Sequence, residues 1–232
     1  MPEPAFETVI LAGGRALRLG GADKPALTVG GESLLGSVIA AAAGSGAQRV
    51  IVVGPARPEP GAGPASDPGI APAPTAPPVT FVQEAPAQGG PGPALRRGLR
   101  EVSAPVVVLL AADLPFLAAS HVRWLRSALS GEPHTAGVVM LDDGGQPQWL
   151  TSCWHAGRLG EAATAYRGKS LHGLLRPLEP VQLRYRLAPS EPPPWFDCDT
   201  PQDLARARAM HKEAASEHAG AMDGGGLHGT GP

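Results

Sequence analysis

Thr8-Val9-Ile10-Leu11 runs directly into Ala12-Gly13-Gly14-Arg15-Ala16-Leu17-Arg18-Leu19-Gly20-Gly21-Ala22-Asp23-Lys24-Pro25, and this junction restricts the fold more than any other part of the chain. A β-branched apolar run reads as a buried strand. The loop that leaves it carries glycines that let backbone approach a ligand, free N–H groups and interleaved cations, so it reads as a cradle for phosphate. Open α/β sheets bind their ligands at the carboxyl ends of the strands, which is where this loop begins. It contains neither a G-x-x-x-x-G-K-[ST] P-loop nor a dinucleotide fingerprint. A G-x-G-x-x-G does occur at Gly224, Gly226 and Gly229, but it lies in a polar tail with no strand before it and reads as coincidence.

Downstream of the loop, Ser33 is an N-cap for a helix whose Leu34, Leu35, Val38, Ile39 and Ala42 have helical spacing and which ends at Gly44. Arg49 to Val53 then reads as a second buried strand. Strand, loop, helix and strand make a βαβ unit, which implies a parallel sheet with a right-handed crossover. Val79 to Val82 is a third strand, followed by a helix bearing Leu95, Leu99 and Val102, whose Arg96, Arg97 and Arg100 face either the site or, by default, solvent. Pro105 to Ala112 is the most apolar stretch and reads as a central strand buried on both faces. Asp113 stands at its carboxyl end, where an acid either caps a turn or holds a metal ion. Ser120 caps a further helix with Val122, Leu125 and Leu129 on one stripe, and His121 reads as a surface residue. Thr135 to Leu141 and Gln148 to Trp154 flank the turn Asp142-Asp143-Gly144-Gly145, so a hairpin adds an antiparallel edge. Trp195 to Asp199 is strand-like, which puts Asp197 and Asp199 on one face. Thr200, Pro201 and Asp203 supply an N-cap, a first-turn proline and a first-turn acid for a last helix. The expected class is α/β, a Rossmann-like three-layer α/β/α arrangement with a mostly parallel sheet.

A length of 232 residues suits one domain, expected at residues 5–211. The 31 glycines and 27 prolines would suggest disorder if spread evenly, but many are concentrated in residues 54–78 and in a tail from 217, which read as a mobile loop and a disordered end. A net charge of −2 gives no bulk attraction to nucleic acid or to an anionic membrane, so anion recognition has to be local. Cys153 and Cys198 lack a C-x-x-C or metal-ligand spacing, and no signal peptide or long apolar stretch is present. The chain therefore reads as cytoplasmic.

L-A-G-G-x-x-x-R-x-G-G-x-D-K-P, formed by Leu11 to Pro25, resembles the signature loop of the nucleotidyltransferases related to molybdenum cofactor guanylyltransferase. The double glycine favours that branch over cytidylyltransferase relatives, whose loop usually reads L-A-A-G. Ala112-Asp113-Leu114-Pro115-Phe116 and Asp199-Thr200-Pro201-Gln202-Asp203-Leu204 extend the resemblance, which spans about residues 5 to 210. It implies a fold of the nucleotide-diphospho-sugar transferase type, Mg²⁺ as cofactor, and transfer of GMP from GTP to molybdopterin with release of pyrophosphate. Molybdoenzymes or other cofactor-biosynthesis proteins would be its transient partners. On this reading Arg18 meets the β- and γ-phosphates, Lys24 meets charge at the reacting phosphate, and Asp113 holds Mg²⁺. Asp199 lies beside nucleotide and metal, and Leu11, Ala12, Gly13 and Gly14 face base and sugar. Relatives commonly carry an aspartate after the third strand that helps bind the guanine nucleotide; here Glu84 is adjacent and Ala85 stands where that acid would be. Trp149, Trp154, His155 and Lys169 are acceptor-side candidates whose default roles are core or surface. Two alternatives stay open: a transferase using CTP or another phosphorylated acceptor, and a non-catalytic nucleotide-binding regulatory module.

Overall fold

Seven strands form the main sheet in a computed structural model that describes residues 3–13, 24–55, 76–84 and 89–223, with side chains through 216. Gly14 and Arg18 of the loop, residues 56–75 of the 54–78 stretch, Ala85, and 224–232 of the tail lie outside the described residues. The β-branched runs become β1 (Phe6–Leu11), β4 (Val50–Val53), β5 (Val79–Val82) and β6 (Val106–Ala111). These four lie side by side in the order β5-β4-β1-β6, all parallel. Side chains alternate across the strands as the pleat requires. In β1, Phe6 and Ile10 enter one core and Val9 and Leu11 the other.

Each face is covered by helices. On one side α1 (Leu34–Gly44) and α3 (Ala119–Gly131) contribute Leu35, Val38, Val122 and Leu125. On the other, α2 (Pro91–Leu99), α4 (Ala156–Ala165) and α5 (Leu171–Leu175) contribute Leu95, Leu159 and Leu174. Ser33 caps α1 as its sequence implies, its Oγ accepting the Gly36 N–H at 3.0 Å. Close packing of α2 on the sheet depends on Gly98, where a Cβ would come within 2.8 Å of both Val9 and Val53 side chains. Of the three arginines expected to face solvent, Arg100 does, but half-buried Arg96 turns inward and donates to the Tyr166 carbonyl at 3.0 Å.

The hairpin forms as β7 (Gly137–Leu141) and β8 (Pro147–His155), but it is not the edge. β8 inserts antiparallel between β6 and β7, and the edge is β9 (Val181–Arg184), parallel to β7. The half-buried alternation of Val181-Gln182-Leu183-Arg184 was too short to announce a strand. A second correction concerns α3. Its N-cap is Ala118 rather than Ser120, and the orphan Ala118 N–H is taken by His121 Nδ1 at 2.9 Å. His121 is accordingly buried, only 2% exposed, with Nε2 at 3.0 Å from Glu191 and its ring edge-on to Tyr185. Trp195 to Asp199 forms no strand. The last helix, α6 (Pro201–Asp223), has the expected start: Asp203 accepts the Thr200 N–H at 2.8 Å, and Thr200 Oγ1 accepts the Asp203 N–H at 3.1 Å. It runs on past residue 217. Two short strands, β2 (Thr28–Val29) and β3 (Glu32–Ser33), make a separate hairpin under α6. At the amino edge of the sheet, buried Glu7 is held by the Ser103 N–H at 2.7 Å and by Arg49 at 3.1 Å.

Candidate active site

Four strand ends are laced together at the carboxyl edge of the sheet. The Ala112 N–H donates to Leu11 O (3.2 Å), Ala12 N–H to Val53 O (2.9 Å) and Gly54 N–H to Val82 O (2.8 Å), so the ladder continues one residue past β6, β1 and β4. The Ala12-Gly13 segment, which opens the glycine-rich loop, is therefore pressed onto Gly54, where a Cβ would lie 3.0 Å from the Ala12 carbonyl carbon and oxygen. A side chain at 54 would have to push backbone, which has nowhere cheap to move.

Where the described chain resumes, Lys24 begins a single 3-10 turn, Lys24–Ala26. Its Nζ is bonded to both Asp113 Oδ2 and Asp199 Oδ1. Three sequence-derived site residues thus meet at one nitrogen. Lys24 and Asp113 are mostly covered, with 17% and 21% of their side chains exposed, while Asp199 is open at 52%. Burial works against the Lys24 charge, but Asp113 and then Asp199 outweigh it and hold its pKa above the ordinary lysine value.

Different elements bring these groups in. Asp113 rides on the end of β6. Asp199 is fixed from both sides. Cys198 before it is buried in a small apolar cluster with Val29, Leu34, Leu204 and Ala207, and Thr200 after it caps α6. The alternation Asp197-Cys198-Asp199 thus sends one thiol inward and two carboxylates outward. Burial, with Asp113 close by, pushes the Cys198 thiol up to about 12, so it stays protonated. The same apolar cluster, joined by Leu27 and Phe116, ties α6 to β2 and to the chain just after Lys24. Arg208 of α6 adds a bond to Thr28 O at 2.9 Å.

The donor set suits a hard divalent cation. Asp113, Asp197 and Asp199 share one neighbourhood with Lys24, and the crowding is felt: lost hydration, then Asp199 and Asp113, push the Asp197 pKa up. Among the described residues no group of three His, Cys, Asp or Glu is arranged to hold a metal alone. One or two carboxylates completed by substrate phosphates is the usual arrangement for Mg²⁺. Glu84 stands past the end of β5, on the same edge but separated from Asp113 by β4 and β1. Of the acceptor-side candidates, Trp154 is fully buried core and His155 is the N-cap position of α4. Asp197 was visible in the sequence only as a neighbour of Asp199.

A lysine gripped by two carboxylates at the carboxyl edge of a mostly parallel sheet fits a nucleotidyltransferase, and the strand arrangement is that of the nucleotide-diphospho-sugar transferase fold. Within that class the chain belongs to the family of MobA-like NTP transferase domains, whose profile matches residues 8–183. Molybdopterin-guanine dinucleotide biosynthesis protein A from Archaeoglobus fulgidus has the same fold, with a TM-score of 0.64 at 19% identity over 89% of this chain and 99% of that one. The 2-C-methyl-D-erythritol 4-phosphate cytidylyltransferase from Thermus thermophilus matches with a TM-score of 0.58 at 19% identity, over 90% and 99%. A manganese complex of Rv0371c from Mycobacterium tuberculosis H37Rv matches with 0.58 at 20% identity, over 89% and 98%. No curated protein matches by sequence. Among the described residues no helix is long and apolar enough to cross a membrane.

Proposed function

We propose that this nucleotidyltransferase transfers GMP from GTP to the phosphate of molybdopterin and releases pyrophosphate. The observation that carries the reading is Lys24 held by Asp113 and Asp199 beside the Leu11-Ala12-Gly13 end of a double-glycine loop. An oxygen of the acceptor phosphate attacks the α-phosphorus of GTP in line. A P–O bond forms there, the bridging bond to the β-phosphate breaks, and the electron pair leaves on pyrophosphate. Two anions have to be brought together, so positioning and charge neutralisation make up most of the catalysis. Lys24, kept charged by its carboxylates, faces the reacting phosphate, and Arg18 meets the β- and γ-phosphates. Asp113 and Asp199 are the residues that would hold Mg²⁺, which when bound neutralises phosphate charge as the bond breaks. The attacking phosphate has its second pKa near ~6 and is largely ionised at neutral pH, so no general base is required.

Relatives of this fold include a cytidylyltransferase and a protein of molybdopterin-guanine dinucleotide biosynthesis, so the nucleotide has to be tested directly. Pyrophosphate release is measured with GTP or CTP, each with and without molybdopterin and Mg²⁺. Release that needs GTP, molybdopterin and the metal together is expected. Release with CTP in place of GTP would overturn the base assignment, and nucleotide binding with no release under any combination would make the chain a non-catalytic module.

A further inference from the structure

β8 is irregular at one place. Val139 of β7 pairs with Ser152, but the next residue, Met140, pairs with Gln148, so Trp149, Leu150 and Thr151 bulge out of the β7 ladder. On its other side β8 pairs Thr151 with Leu110, the fifth residue of β6, and the pairing stops there. β8 runs antiparallel to β6, so Trp149, two residues beyond that last pair, lies toward the carboxyl end of β6. A bulge at such a place re-aims a side chain, and here two successive side chains, Trp149 and Leu150, both pack against the core under α2, α4 and α5. Ser152 Oγ secures the turn by donating to Trp149 O at 2.7 Å. Trp149 is left half-buried, with its indole meeting His172 of α5 edge-on at 5.8 Å between centroids.

The topology says which substrate such a ring would face. Strand order runs β5-β4-β1-β6-β8, so Ala12 and Gly13 after β1 and Glu84 after β5 lie on one flank of Asp113, and Trp149 lies on the other. The nucleotide is assigned to the glycine-loop flank. A half-buried indole braced by a neighbouring imidazole on the opposite flank is suited to meet a flat ring.

We propose that Trp149, steadied by His172, is the stacking platform for a planar heteroaromatic ring on the acceptor. The proposal rests on the nucleotidyl-transfer reading and names the part of the site that chooses the acceptor. Stacking of a heterocycle on an aromatic side chain corresponds to roughly a 5- to 150-fold effect on affinity. Trp149→Ala should raise the KM for molybdopterin at least about tenfold by the same reasoning. Turnover at saturating acceptor and the affinity for GTP measured calorimetrically should stay near wild type. Trp149→Phe should recover most of the loss, and His172→Ala should show an intermediate one. Equilibrium dialysis with a free pterin gives a readout independent of turnover, and weaker binding of that probe is expected in Trp149→Ala. Unchanged pterin binding in Trp149→Ala, absence of pterin binding to the wild type, or equal loss of GTP and pterin in both Trp149 variants would each overturn the platform. Molybdopterin turnover with an unchanged KM in Trp149→Ala would sink the platform and leave GMP transfer standing. Wild-type protein that binds pterin through Trp149 yet never turns molybdopterin over would do the reverse.

Discussion

Lys24 joins two acids from distant parts of the chain, and removing either kind of partner should have a distinct result. Lys24→Ala should cut turnover at least ~100-fold, the scale of one lost electrostatic contact to a transition state. Asp113→Asn should abolish metal-dependent turnover while shifting the thermal midpoint little, because Lys24 keeps Asp199. Rates per folded molecule and melting curves on the same samples check both; a variant that melts several degrees lower but retains its rate would show Asp113 to be structural. Gly54 offers a residue-scale test of the loop. Gly54→Val should displace Ala12 and Gly13 through backbone contact and lower turnover with GTP by roughly 100-fold, as expected for a misplacement of about 1 Å. Normal turnover in a folded Gly54→Val protein would mean that the Ala12-Gly13 turn does not set the nucleotide's position.

α6 acts on the site through its first turn. Thr200 is at once the cap of that helix and the residue after Asp199, so Thr200→Ala should cost about 1 kcal/mol of stability, as lost N-caps do. It should also lower kcat by more than the folded fraction explains, which denaturant titration and kinetics on one preparation can separate; a proportional loss would mean that the cap does not orient Asp199. Elements of this kind show which parts of the molecule could be read in advance. β1, β6 with Asp113 just beyond its end, and the start of α6 are each announced by residues within a few positions, so periodicity and capping patterns find them. The meeting of Lys24 with Asp199 spans 175 positions and leaves no local trace. The misreading of His121 has the same origin, since its cover comes from Tyr185 and Glu191, far along the chain. β9 was missed because four alternating residues are too few to show a period, and the bulge at Trp149 because it is defined only against β7 and β6.

Over the whole molecule, stability should respond to acid in two stages. Burial lowers the His121 pKa against the opposing pull of Glu191, and its hydrogen bonds are met by a neutral ring with the proton on Nε2. A histidine with a depressed folded pKa contributes stability that is present above its unfolded value near ~6.5 and declines as pH falls below it. Glu7 resists burial through Ser103 and Arg49, which hold its pKa below the ordinary value, so its contribution is lost only at lower pH, below about 4.5. Melting temperature should therefore begin to fall below about pH 6.5, and His121→Gln should flatten that first stage while leaving the second; an unchanged slope in the variant would remove His121 from the account. The convergence on Lys24 also has a temporal side. Domains form from the amino end as synthesis proceeds, so β1, β4 and β6 can pair while Asp199 and α6 are still unmade. A ribosome-borne chain holds a basic loop and a single strand-end acid long before it holds the second carboxylate and the helix that seats it. The grip on Lys24 is completed only with α6, and an interrupted polypeptide would hold Lys24 and Asp113 without the second carboxylate that clamps them.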